Sequence, residues 1–349
     1  MDVLVIVNPL AGNGSPPPRE VVDHCRAAGA RVRVECAACR GDAIARAACA
    51  SSATAAPALV VAVGGDGTVC EVAEGLARGL RRWADDEAEH PTPAARPVPA
   101  LLAIPAGSGN SAYHAVWGDL DWREAVRLTF EERAHRVREL DLIRLVEFDR
   151  AALLGVNVGL VAAIATCIES EKDGRRGRPR AQLSEGASAN PEQDEARYWS
   201  ALSRALSEFR ASVLRVSLDG RPLFEGATLL LTVGGVRRFG RGMFALLPQS
   251  LLDDALLDVC VTADVSPQRL GELAALVRSG EHVAEREVTY ERGRRVRIER
   301  LDGEGLQIEH DGDPLRATRA LTLEILPGAV PVIAPLESPF TKEGSPWSS

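Results

Sequence analysis

Gly64-Gly65-Asp66-Gly67-Thr68 packs three glycines, a carboxylate and a hydroxyl into five residues directly after the apolar run Ala58 to Val63. At the exit of a buried strand, such a cluster leaves backbone amides open to phosphate oxygens. It also holds an acid where a magnesium ion or an attacking hydroxyl would sit. The chemistry this spacing predicts is that of a nucleotide phosphate site, followed by a helix over Val69 to Arg82. Two further turns repeat the arrangement of apolar strand, glycine-bearing turn and helical pattern. Val3 to Val7 leads into Asn8-Pro9-Leu10-Ala11-Gly12-Asn13-Gly14, and Ala100 to Ile104 leads into Pro105-Ala106-Gly107-Ser108-Gly109-Asn110-Ser111.

Strands that alternate with helices predict a parallel sheet with right-handed crossovers, and all three turns then emerge at its carboxyl edge. Ligands of open α/β sheets bind outside that edge, so three glycine turns together carry more weight than any one of them. The plainer alternatives are a tight loop for each turn, and for Asp66 a cap on the helix that begins near Thr68.

Several classes are excluded by composition. The chain has 349 residues, 46% hydrophobic and 26% charged, enough for two domains of an ordinary globular protein. A net charge of -8 argues against a nucleic-acid partner. Lys172 and Lys342 are the only lysines and no GxxxxGK[ST] occurs, which removes the P-loop class. Seven cysteines, odd in number and most of them in apolar surroundings, read as reduced core thiols of a cytosolic protein, and the lone Cys36-x-x-Cys39 lacks the companions a zinc site needs. Asp2 stands directly ahead of Val3 to Val7, so the amino terminus reads as a first strand rather than a signal peptide. Ala151 to Ile168 approaches the length of a membrane span. Gly155, Asn157 and Gly159 inside it favour a buried strand, a turn and a helix instead.

The texture changes at Glu139. Short β-like runs follow at Leu142–Val146, Leu153–Val158, Ser212–Leu218, Ala227–Val233, Leu256–Val261, Arg295–Glu299, Leu306–Glu309 and Leu321–Ile325, with turns at Asp219-Gly220, Asp302-Gly303 and Asp311-Gly312. Residues 174–195 lack apolar periodicity and read as a mobile insertion; Arg78 to Pro99 reads as a surface loop. The expected organisation is an α/β domain over 1–138 and a mostly antiparallel β-sandwich over 139–326. A segment over 327–349 then returns to the first domain and ends in a flexible tail.

In combination, Asn8-Pro9, the cluster at 64–68 with Glu71, the loop at 105–110 and Asp311-Gly312-Asp313 resemble the diacylglycerol kinase and sphingosine kinase family, which shares its fold with NAD kinases. The resemblance implies an ATP-dependent lipid kinase that uses Mg2+. It implies nucleotide contacts from Asn8, Pro9, Gly64, Gly65, Gly67, Thr68, Glu71, Gly107, Ser108 and Asn110. Asp66 and Asp313 are implied as catalytic acids, Asp313 standing where the family usually has glutamate. Asp66, Asp141 and Asp254 are implied as metal ligands. The expected partner is a membrane lipid, met by transient peripheral contact at the inner membrane surface from the cytoplasm, with no nucleic acid and room for a homodimer.

The two branches of the family are not separated by these residues. Ser111 after Asn110, Glu169-Ser170-Glu171-Lys172 and Gly242-Met243-Phe244-Ala245 resemble the sphingosine and ceramide branch, yet Ala163 stands where sphingosine kinases carry an aspartate. Asp141 and Asp253-Asp254-Ala255 resemble the bacterial diacylglycerol kinases, with Ala255 in place of a glycine. The substrate is therefore diacylglycerol or a sphingoid base; a NAD kinase and a non-catalytic nucleotide-binding module are the competing readings. Arg175, Arg176, Arg178 and Arg197 are candidates for transition-state charge, and the segment Arg237 to Phe244 either for contact with an anionic bilayer or for core packing of Phe239 and Phe244. Asp302-Gly303-Glu304 also spells the family's acidic turn. The strand pattern after Arg319 favours Asp311 to Asp313 instead, so Asp313→Ala is expected to lose more turnover than Glu304→Ala, measured side by side.

Overall fold

The computed structural model describes residues 1–9, 16–80, 98–107, 109–176, 200, 203–240 and 242–337. Four strands, β1 (Asp2–Val7), β2 (Arg31–Cys36), β3 (Leu59–Gly64) and β4 (Ala100–Pro105), pair in parallel in the order β4-β3-β1-β2. β1 and β3 are near-continuous valine, leucine and isoleucine because helices cover the sheet, and every residue of β3 is buried. β2 closes the edge and exposes four of its six residues, among them Arg31 and Arg33.

Between the strands run α1 (Pro18–Ala27), α2 (Asp42–Ser52) and α3 (Asp66–Gly79); α4 (Ser111–Trp117) and α5 (Trp122–Phe130) follow β4. α2 and α3 lie unusually close. A Cβ on Gly75 would stand 2.7 Å from that of Ala47, so small residues permit this contact. The helix after the glycine cluster starts at Asp66, three residues earlier than the apolar pattern indicated.

The second domain is antiparallel: β6 (Arg150–Ala152), β7 (Gly155–Gly159), β8 (Ser212–Leu218), β9 (Arg221–Gly234), β10 (Leu257–Ala263), β11 (Val288–Gly293), β12 (Arg295–Arg300), β13 (Leu306–His310) and β14 (Asp313–Thr318). The β8–β9 hairpin turns at Asp219-Gly220 with both φ angles positive (50° and 78°), as a two-residue turn requires. β11 has no counterpart in the sequence reading; Val288-Thr-Tyr-Glu-Arg-Gly alternates too weakly to stand out. The apolar run at 151–168 resolves into β6, β7 and α6 (Leu160–Arg176), with Gly159 at φ 92° making the strand-to-helix turn. No helix among the described residues is long and apolar enough to cross a membrane. α6 continues through Arg176, past the start expected for the insertion; the rest of 174–195 lies outside the described residues. The thiols divide differently from the core reading. Cys25, Cys70 and Cys260 are buried, but Cys36, Cys39 and Cys49 are exposed.

Two strands weld the domains. β5 (His135–Leu145) and β15 (Ala320–Pro335) pair antiparallel from Leu145↔Leu323 to His135↔Pro335, and the end of β15 joins the parallel sheet through Val332 and Leu101. β5 thus begins seven residues before the run expected at Leu142. The register breaks between Leu326 and Val330. Asp141 spans that break: Gly328 N–H donates to its Oδ1 and Ala255 N–H to its Oδ2, both at 2.7 Å. Burial raises its pKa, with Asp254 and Asp253 adding to the effect against those two amides. A second link is ionic. Glu74 of α3 is 1% exposed and receives Arg78 of its own helix and Arg150 of β6 at 2.9 and 3.0 Å.

Ala255 adopts φ 60°, a left-handed conformation that costs an L-residue about 1–2 kcal/mol. Ala255→Gly keeps the amide that Asp141 holds and should stabilise the protein by about 0.5–1 kcal/mol after the added chain entropy of glycine, read as a higher urea midpoint at unchanged slope.

Candidate active site

The three glycine turns meet through their backbones. Asn8 at the end of β1 donates its N–H to Val63 O at 3.1 Å and its Nδ2 to Thr68 Oγ1 at 3.2 Å. Ala106 N–H donates to Gly64 O at 2.9 Å, and a Cβ on Gly65 would lie 3.1 Å from Gly107 Cα. A Cβ on Gly64 would overlap the Thr68 side chain. Asn110, at φ 54°, accepts Gly107 N–H on Oδ1 at 2.8 Å and returns Nδ2 to Gly107 O at 2.9 Å, locking the loop after β4. Of the expected nucleotide contacts, Asn8, Gly64, Gly65, Thr68, Gly107 and Asn110 are therefore drawn into one bonded edge. Pro9 and Gly67 are exposed beside it. Ser108 and residues 10–15 lie outside the described residues, as do Arg178, Arg197 and the side chains of Arg175 and Arg176.

Asp66 does not cap its own helix. Its Oδ1 accepts Ala112 N–H at 2.9 Å, and Ser111 N–H adds to it, so the carboxylate sits at the start of α4. Burial lifts its pKa above the usual aspartate range, the charge of Asp311 adds to that, and the two amides and His114 oppose it. A carboxylate raised in this way is a better proton acceptor at neutral pH than an exposed one.

The second domain reaches this edge through the β13–β14 turn. Asp311 takes Leu153 N–H on Oδ2 at 3.0 Å, and Leu154 and Gly155 N–H on Oδ1 at 2.8 and 3.2 Å. Two residues on, Asp313 Oδ1 meets Arg40 Nη2 of the β2–α2 loop at 2.6 Å, a contact across the two domains. Glu71 of α3 stands beside it. Its Oε1 accepts Gly41 N–H at 2.8 Å, and burial raises its pKa, with Asp313 adding and Arg150 and Arg40 opposing. Cys70, buried between Asp311 and Asp66, has its thiol pushed well up by burial and by both carboxylates, so it stays protonated. Glu304, by contrast, is exposed on the β12–β13 turn with Asp302.

The three expected metal ligands do not come together. Asp141 and Asp254 belong to the weld at the β5–β15 break, where Arg292 pairs with Asp254, and Asp66 belongs to the glycine edge. Among the described residues no group of three or more His, Cys, Asp or Glu is placed to hold a metal ion. An open cavity of about 510 Å³ lies beside the weld, lined by Arg136, Arg138, Glu139, Asp141 and Asp253.

Sequence reasoning left Arg40, Asp311, Glu309 and Asn157 without site roles. Asn157 carried a signal, being a lone amide within an apolar run. Arg40 carried none, because its partner is 273 residues away.

A parallel-sheet domain with glycine turns at its carboxyl edge, closed by an acidic turn from an antiparallel domain, is the diacylglycerol kinase type of fold. A crystal structure of a diacylglycerol kinase from Bacillus anthracis superposes with a TM-score of 0.62 at 20% identity, over 96% of this chain and 97% of that one. Residues 2–144 match the diacylglycerol kinase catalytic domain, and residues 181–334 the YegS C-terminal NAD kinase beta sandwich-like domain. A protein of Pseudomonas aeruginosa named probable lipid kinase YegS-like is 31% identical over 287 residues, 82% of this chain and 80% of its own length. Its namesake in Stenotrophomonas maltophilia is 26% identical over 283 residues. The chain belongs to this YegS-like lipid kinase family.

The two glycines of the edge should separate in mutagenesis. A Cβ on Gly107 would overlap Gly65 Cα, whereas one on Gly67 meets nothing within 4 Å. Gly107→Ala is expected to lower the melting temperature and weaken nucleotide binding at least about tenfold, on the scale of an overpacked site. Gly67→Ala, on a helix, should leave the melting temperature unchanged or higher.

Proposed function

We propose that the protein transfers the γ-phosphoryl group of ATP to the hydroxyl of a membrane lipid, either diacylglycerol or a sphingoid base. The observation that carries this reading is the position of Asp66. A half-buried carboxylate with a raised pKa stands on the same edge as the Gly65–Gly107 approach, where two backbones come too close for a side chain. Phosphoryl transfer asks the protein for positioning and charge rather than covalent chemistry. The lipid oxygen forms its bond to the γ-phosphorus as the bond between that phosphorus and the β,γ-bridging oxygen breaks. ADP departs, and the hydroxyl proton passes to Asp66.

Asn8, Gly65, Thr68, Gly107 and Asn110 supply amides and polar atoms for the phosphates, and Asp313 is the second acid. Mg2+, which commonly takes one or two carboxylates plus phosphate oxygens and water, would be held near Asp66 through a water molecule and would supply charge neutralisation there. Transient contact with a bilayer surface follows from a substrate that resides in one.

Purified protein, labelled ATP and a panel of diacylglycerol, sphingosine, ceramide and NAD tests the proposal; label that appears only in NAD, or nowhere, rejects it. Asp66→Asn should retain nucleotide binding while transfer falls at least about a hundredfold. Because Asp66 must be ionised to accept the proton, wild-type turnover should fall on acidification at a pH above the usual aspartate range.

A further inference from the structure

Three polar side chains lie in one row across the apolar β domain. Thr232 of β9, Asn157 of β7 and Glu309 of β13 are register partners, and they are 0%, 1% and 4% exposed. Thr232 Oγ1 donates to Asn157 Oδ1 at 2.7 Å, and Asn157 Nδ2 donates to Glu309 Oε2 at 2.6 Å. The other carboxylate oxygen, Oε1, accepts the N–H of Gly312. A buried carboxylate is costly, and a neutral side chain could satisfy Asn157 at lower cost. What the carboxylate adds is a second, strongly accepting oxygen aimed at the turn that carries Asp313.

That turn needs holding. Asp311 and Gly312 both have left-handed backbones, φ 49° and 91°, and Asp311 is not a glycine. Its side chain is tied to the amides of 153–155, but this leaves the peptide of Gly312, the one that orients Asp313, to Glu309.

We propose that Glu309 is a positioning residue of the active site: through Gly312 it sets where the Asp313 carboxylate stands, and Asn157 and Thr232 hold Glu309 in place. The inference rests on Asp313 being the second acid of the transfer reaction. Burial, with the charges of Asp311 and Asp313, raises the Glu309 pKa to about 7, against its bonds from Asn157 and Gly312, so it forms a polar anchor that is not permanently ionised.

A double-mutant cycle tests this with Glu309→Ala, Asp313→Ala and the pair, reading kcat and the KM for ATP. Glu309→Ala should lower kcat at least about tenfold with KM changed less than about threefold, the scale of a misplaced group. In the Asp313→Ala background it should lower kcat no further. Glu309→Gln, whose oxygen can still accept from Gly312 while its Nε2 donates to a turned Asn157 amide, should recover most of the loss. Equal losses in both backgrounds, or a fall in melting temperature with kcat intact, would overturn the proposal. Amide exchange at Gly312, faster in Glu309→Ala than in wild type, reads the same contact without turnover. If wild type phosphorylates no lipid, the reading of function fails. Unchanged Gly312 exchange sinks the positioning role itself.

Discussion

The carboxylate of Asp311, gripped by the three successive amides of Leu153, Leu154 and Gly155, is the contact on which the geometry of the site depends. Those amides lie where β6 passes into β7 and would otherwise be unpaired next to a buried core. One side chain satisfies them all within the second domain and so fixes the β13–β14 turn, whose Asp313 meets Arg40 of the first domain two residues on. Asp66 answers in kind by taking the first amides of α4. Carboxylates satisfied by backbone N–H groups stay in place without a cation, so the acids of this cleft are fixed in direction while remaining chemically available.

The same device recurs away from the cleft. Asp141 bridges the break between β5 and β15 by taking two amides, and Glu309 takes that of Gly312. Arginine pairs act at longer range: Glu74 with Arg150, and Asp313 with Arg40. With buried carboxylates at so many junctions, burial raises the pKa values of Asp66, Glu71, Asp141 and Glu309 together. Sign follows from this. A native pKa above the unfolded value means that the folded chain binds more protons, so these groups remove stability as pH rises through their shifted range. Positioning of acids here is obtained at a cost to stability, and the amides limit that cost.

Local chemistry accounts for what could be read early. The three glycine turns were legible because a strand followed by glycines and an acid leaves few other conformations open, and their convergence followed from the handedness of parallel crossovers. β11 and the early start of β5 were not legible. His135 to Leu140 is largely exposed and charged on one face, and it becomes strand only because β15 lies beside it. The reading of the cysteines as core thiols failed at Cys36, Cys39 and Cys49 for a similar reason, since exposure at the sheet edge and on α2 is set by what packs there.

Sequence by itself determined the fold class, the glycine edge and the place of the Asp66 carboxylate on it, because each rests on spacing within a few residues. Tertiary structure decided which of two acidic turns faces that edge, that Asp66 caps α4 rather than α3, and that Asp141 and Asp254 form a weld apart from Asp66. It also brought Arg40 to Asp313 and Asn157 to Glu309. Such decisions depend on desolvation and on unpaired amides supplied by distant strands, quantities that exist only once the chain has folded.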